Sequence, residues 1–326
     1  VTEYLVFSTC WRLSIMPLLQ TNPPAHADEA WKHVLSVYFK KFMLFFYPDL
    51  AEKIDWTAGY EMLDQELFKI TSESIVGPRR VDKLMKIRSL DGQNCLVLLH
   101  VEVQGTKDPH FEKRLFQYFY RLHDLHCLPT LTLAILSDKN AHWRPSNYLE
   151  EVWGYPVCNF QFLTNKLLDY RGQEARLLET ANPFGTIVAV HLAGLETRSR
   201  PEVRYAVKLA LTRKLYDKGL DREAISNLYI FINGVLTLPE NLEIRYNSSI
   251  KELEQERNMR YVTSIERQGR QEGLKEGIEQ GIQQGRREEA STIVQNLRAM
   301  GSDHAFIEKA TGLSEEEIAT ILKQTH

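Results

Sequence analysis

Between residues 29 and 47 the apolar side chains Trp31, Val34, Leu35, Tyr38, Phe39, Phe42, Phe45 and Phe46 recur at helical spacing, and Pro48 closes the run. A second, shorter helix is expected at 59–69. The period then drops to two. Residues 75–76, 79–90 and 95–104 read as strands, and Asp91-Gly92 is a hairpin turn between the last two. In the third strand Val97, Leu99, Val101 and Val103 make one apolar stripe. Leu98, His100, Glu102 and Gln104 project from the opposite face. Residues 109–126 read as an amphipathic helix, and 130–136 and 157–163 as short buried strands. Helix, hairpin, strand, helix, strand is the order of an α/β layer with a mixed sheet.

Beyond residue 174 the pattern turns helical, best at 201–218 and 221–236, with Gly219 as a stop between them. Residues 250–260 are charged and helical in pattern. Gly269, Gly273, Gly277, Gly281 and Gly285 then recur every four residues among Glu, Gln, Arg and Lys. On a helix they form one bare stripe, at a cost of about 1 kcal/mol per glycine against alanine. Close approach of a second helix offsets that cost, so the stripe predicts a homo-oligomer; a solvated linker is the open alternative. The charged flanks exclude a membrane-embedded glycine motif. Residues 303–324 read as a small helical hairpin turning at 311–314, with Ser314 and Glu317 as a capping box. Its second helix opens on three glutamates, which favours packing over DNA contact. The expected organisation is 1–30 outside the fold, 31–190 an α/β domain, 191–260 a helical region, and 261–326 the glycine repeat and hairpin.

Composition narrows this little. The 326 residues are 43% hydrophobic and 25% charged, with a net charge of −3, so the chain is globular rather than polybasic. Between Arg79 and His126, nine Lys and Arg face six acids, a local excess that suits a phosphate-facing surface. Cys10, Cys95, Cys127 and Cys158 have no paired spacing, which points to reduced thiols and a cytoplasmic location. Cys95 and Cys158 are expected as small buried strand residues. No run of about 20 apolar residues predicts a membrane partner. The apolar first residues lack a basic start and contain Arg12; the first methionine, Met16, is expected to be the true beginning.

The candidate chemistry sits in the hairpin. Asp82 on one strand and Glu102 on the next can offer two carboxylates to one hard cation, Mg²⁺ or Mn²⁺. Such a site activates water and stabilises the leaving oxygen of a phosphodiester. An acid in so apolar a strand as Glu102's must be metal-bound or paired, with Arg114 the candidate partner. Asp82 has its own alternative, a salt bridge to Arg79, Arg80 or Lys83. Gln104 shares the face of Glu102 and both accepts and donates. Lys86 shares the face of Asp82 and can bring a cation or remain an exposed lysine. Glu66, on the preceding helix, is a third carboxylate or a surface acid. His100 faces the same way as Glu102. Arg114, Gln117, Tyr118 and Arg121 recur on the following helix, where they can hold a phosphate or support the carboxylates.

The hairpin, with its Asp82 and Glu-x-Gln, resembles the active-site core of the PD-(D/E)XK nuclease superfamily. More closely, the chain resembles the recombination-promoting nuclease and putative transposase family. The resemblance lies in Ile54-Asp55-Trp56, Leu63-Asp64-Gln65-Glu66-Leu67, Val81-Asp82-Lys83-Leu84, His100-Val101-Glu102-Val103-Gln104-Gly105, Asn182-Pro183-Phe184 and Tyr261-Val262-Thr263-Ser264-Ile265-Glu266-Arg267. It implies a restriction-endonuclease-like core and a metal-dependent DNA endonuclease tied to recombination or mobile elements. It implies Asp82 and Glu102 as metal ligands, with Glu66 a known variation. Gln104 or Lys86 would position the attacking water. Two positions depart from the superfamily: Val81 precedes Asp82 where proline is usual, and Gln104 stands where lysine is usual. On this reading Gln104→Lys retains or raises activity. The alternative is a catalytically inactive DNA-binding or oligomeric assembly protein on the same scaffold.

Overall fold

A computed structural model describes residues 25–64, 81–90, 96–257, 290–298, 300–301, 303–311, 313–314, 318 and 321. Glu66, Cys10, Cys95, the Asp91-Gly92 turn, the glycine repeat and residues 1–24 lie outside these residues, as do the expectations that fall on them. The chain divides into two units, Val1–Ser249 and Ile250–His326.

In the first unit α1 (Ala25–Phe46) follows the aromatic stripe, and α2 (Pro48–Ala51) starts with proline at its first helical position. A five-stranded sheet follows, in the order β1-β2-β3-β4-β7. Strands β1 (Tyr60–Met62), β2 (Val81–Arg88) and β3 (Leu96–Gln104) run antiparallel, while β4 (Thr130–Leu136) and β7 (Leu163–Lys166) are parallel to β3. A parallel neighbour needs a crossover, and α3 (Phe111–His126) provides it. Cys127, left-handed at φ 51°, ends α3 and turns the chain into β4.

The alternation read from β3 sorts the two faces of the sheet. Met85, Ile87, Leu99, Val101, Val103, Leu133 and Ile135 pack with α1 and with α5 (Pro183–Glu196) in one large core. On the other face Leu84, Leu98 and Leu122 form one small cluster, and Phe111, Leu115, Ala134 and Leu136 belong to another beneath α3. A short helix, α4 (Glu174–Glu179), precedes α5. Helices α6 (Pro201–Asp217) and α7 (Arg222–Val235) join the first core through Leu211, Leu215, Leu228, Phe231 and Ile232. Helix α8 (Glu240–Glu256) follows.

Three expectations change. The helix at 59–69 is replaced at its start by β1, because the open edge of β2 takes a main-chain partner over three residues. The buried strand at 157–163 is two strands: β6 (Tyr155–Gln161) pairs with β5 (Asn147–Val152) in a separate, largely exposed hairpin, and β7 joins the main sheet. Cys158 on β6 is half-buried. The boundary at 190 falls inside α5, whose residues share one core with the sheet and the following helices.

The β5–β6 turn consists of Trp153 and Gly154, with φ 53° and 82°. Positive φ at both positions matches the hairpin twist but strains a bulky side chain. Trp153 is 95% exposed.

In the second unit, residues 290–298 and His304–Thr311 are helical, and Val294, Ile307 and Ile318 bury together. Asp303 accepts from Phe306 N at 2.8 Å and caps the second of these helices. Among the described residues no helix is long and apolar enough to cross a membrane.

Among the described glycines Gly185 has the closest neighbours. A Cβ there would lie 2.1 Å from Thr180 Cγ2 and 2.2 Å from Leu177 O. Gly185→Ala is expected to destabilise the fold by about 3 kcal/mol, read as a lowered urea midpoint at unchanged slope.

Candidate active site

Sheet register sets the two principal acidic residues level. Asp82 of β2 pairs directly with Glu102 of β3, and Glu102 with Ala134 of β4. Facing residues in an antiparallel pair project from the same side, with Cβ atoms about 5 Å apart. Leu84 pairs with His100 in the same way, and His100 with Thr132. The face that β3 turns toward α3 therefore carries His100, Glu102 and Gln104 in sequence.

Glu102 is 0% exposed. A buried carboxylate needs a countercharge, and α3 delivers one. Arg114 Nη2 donates to Glu102 Oε1 at 2.6 Å and to Gln104 Oε1 at 3.0 Å, while Nη1 donates to Asp108 Oδ2. The guanidinium lies 5.2 Å from the Phe111 ring centre. Burial alone would lower the Arg114 pKa; the adjacent Glu102 and then Asp108 reverse this, and the net shift is upward. Arg114 is a fixed positive charge.

Gln104 is held at both ends. Its Oε1 accepts from Arg114, and its Nε2 donates to Thr106 O at 2.8 Å. The pairing of Glu102 with Arg114, the alternative open in the sequence, is thus present. It uses only one carboxylate oxygen. Glu102 Oε2 is buried with no hydrogen-bond partner.

His100 is also fully buried, its ring edge-on to Tyr118 at 5.7 Å between centres. Burial lowers its pKa to about 4; Glu102 opposes the shift and Arg114 adds to it. Tyr118 is on the buried face of α3, so it supports the site rather than lining an open surface.

Lys86 is not brought to the site. It pairs with Leu98, four residues down the strand, or about 13 Å from the level of Asp82. Its Nζ instead donates to Glu61 Oε2 at 3.3 Å. The local excess of cations also shrinks as a surface. Lys83 turns inward to Asp64, and Arg114 is buried, because each neutralises an acid. Asp108 was missed in the sequence. Its signal was an Asp-Pro just ahead of a helix: Asp108 Oδ1 accepts from His110 N at 2.9 Å and its other oxygen holds Arg114. Among the described residues no group of three His, Cys, Asp or Glu side chains gathers around a point.

Compared with protein-family models, curated proteins and solved structures, the chain matches none.

Two expectations follow. A lysine at 104 would set a second buried cation against Arg114, so Gln104→Lys is expected to lose about 3 kcal/mol of stability, separately from any effect on activity. Urea unfolding measures it. The second concerns acid. Unfolded histidine takes up its proton near pH 6.5, folded His100 only near pH 4, so the unfolded chain binds more protons in between. Stability therefore falls as pH drops through that window, by about 2.5 kcal/mol for this residue between pH 7 and 4.5. His100→Leu should remove that share of the acid loss in paired unfolding curves.

Proposed function

We propose that the chain is a metal-dependent DNA endonuclease with a restriction-endonuclease-like core, akin to the recombination-promoting nuclease and putative transposase family of the PD-(D/E)XK superfamily. One observation carries this: Asp82 stands level with Glu102 across β2 and β3, and Glu102 keeps one buried oxygen unpartnered. Asp82 and Glu102 would hold Mg²⁺ or Mn²⁺, whose chemistry is to polarise a phosphoryl oxygen and ease deprotonation of water. Arg114 fixes the orientation of Glu102 through the bond to Oε1. Gln104 accepts from the same Arg114 nitrogen as Glu102 and carries no charge itself. Glu102 lies fully buried on the sheet face that the α3 layer covers. The role in recombination or mobile-element biology, the DNA partner and a homo-oligomer through Gly269–Gly285 belong to the same proposal.

The second reading is a catalytically inactive DNA-binding or assembly protein. The observation in its favour is the ion pair itself, since Arg114 already neutralises Glu102.

Cleavage of supercoiled plasmid separates the two. Mg²⁺ or Mn²⁺ should support nicking or linearisation, and a chelator should abolish it. Asp82→Asn is expected to lower the rate by about 10³-fold with an unchanged unfolding midpoint. Glu102→Gln should do the same, with some stability lost because Arg114 is left unpaired. Wild-type protein that cuts nothing with either metal leaves only the inactive reading.

A further inference from the structure

Beneath α3 several buried polar atoms have no partner: Glu102 Oε2, both ring nitrogens of His100, Arg114 Nε and Thr132 Oγ1. They belong to neighbours. Thr132 pairs with His100 in register, Glu102 is two residues further along β3 on the same face, and Arg114 is bonded to Glu102. Each unmet group of this kind costs about 1–3 kcal/mol. An imidazole kept only for packing does not behave so. His191, only half-buried on α5, takes Trp31 Nε1 at 3.4 Å on Nδ1 and reaches Ser137 O at 2.8 Å with Nε2.

We propose that His100 is a further ligand of the cation held by Asp82 and Glu102, and that this nitrogen donor makes the site select Mn²⁺ over Mg²⁺. The inference rests on the metal site of the endonuclease reading and adds the identity of its ion. Imidazole suits first-row transition metals, whereas Mg²⁺ takes oxygen ligands and keeps its waters. His100 and Glu102 both project toward α3 and both keep a free donor atom there. A buried carboxylate oxygen without a donor and an imidazole without a partner, two residues apart on one strand face, suit a shared cation. Thr132 Oγ1, beside His100, can bond the second ring nitrogen and fix the tautomer, as ligating histidines require.

The test uses the full chain, calorimetric titration with Mn²⁺ and with Mg²⁺, and pulsed electron paramagnetic resonance of bound Mn²⁺. Wild type should bind Mn²⁺ at least about tenfold more tightly than Mg²⁺. His100→Leu should weaken Mn²⁺ by about 10–100-fold, change Mg²⁺ by less than about threefold, and remove the ¹⁴N coupling from the Mn²⁺ spectrum. Should His100→Leu fail to fold, ¹⁴N coupling in wild type that disappears in Asp82→Asn supports the proposal, and its absence from wild type overturns it. Equal Mn²⁺ affinity in wild type and His100→Leu, without ¹⁴N coupling, removes His100 from the site and leaves the Asp82–Glu102 site standing. No binding of either metal to wild type overturns this inference and the metal site together.

Discussion

A carboxylate sealed inside a sheet face constrains everything near it. Glu102 has no exposure, and an unpaired charge there would cost several kcal/mol. Its partner must arrive from α3, so the first turns of that helix are pinned where Arg114 reaches both Glu102 and Gln104. Asp108 pins the loop ahead of the helix through the same guanidinium. Phe111 and Leu115 then have one place to pack, against Ala134 and Leu136 of β4. The crossover that makes β4 parallel to β3 is thus anchored by electrostatics at one end and apolar contact along its length.

The same edge of the sheet carries a second enclosed pair. Gln104, Leu136 and Lys166 lie level across β3, β4 and β7, and Lys166 is buried against Asp138 and the face of Trp143. Ser137 joins the pairs to the opposite layer. Its amide and hydroxyl bond to Gln104 O, and its own carbonyl accepts from His191 on α5. Carboxyl ends of parallel strands are where α/β sheets collect polar function. Here the polar groups at those ends are tied to both covering layers, so a shift of α5 would be felt at Gln104.

Local period made much of this legible. The aromatic stripe of α1 and the alternation of β3 are short-range patterns, and both faces of β3 are occupied as the pattern reads. Arg114 was readable as a candidate partner because it lies on the helix just after Glu102, but that one carboxylate oxygen meets it while the other stays unpartnered depends on tertiary geometry. Strands β1 and β5 were not readable: one is three residues long, and the other carries Glu150 and Glu151 with no buried stripe. The inward turn of Lys83 could not be read either, since its partner Asp64 lies nineteen residues away. The shared core of the sheet with α6 and α7 hides for the same reason, being assembled from residues distant in the chain.

That difference in distance has a kinetic meaning. Glu102 and Arg114 are separated by 12 residues, whereas Trp31 and His191, which help close the large core, are 160 apart. Loop closure for the longer separation costs about 2 kcal/mol more chain entropy. Short-range contacts form sooner on average than long-range ones. The hairpin, its crossover helix and the ion pair beneath it can therefore assemble as an early folding nucleus, with α1 docking across the sheet as a late event. The candidate site would then acquire its charge arrangement before the protein acquires most of its hydrophobic core.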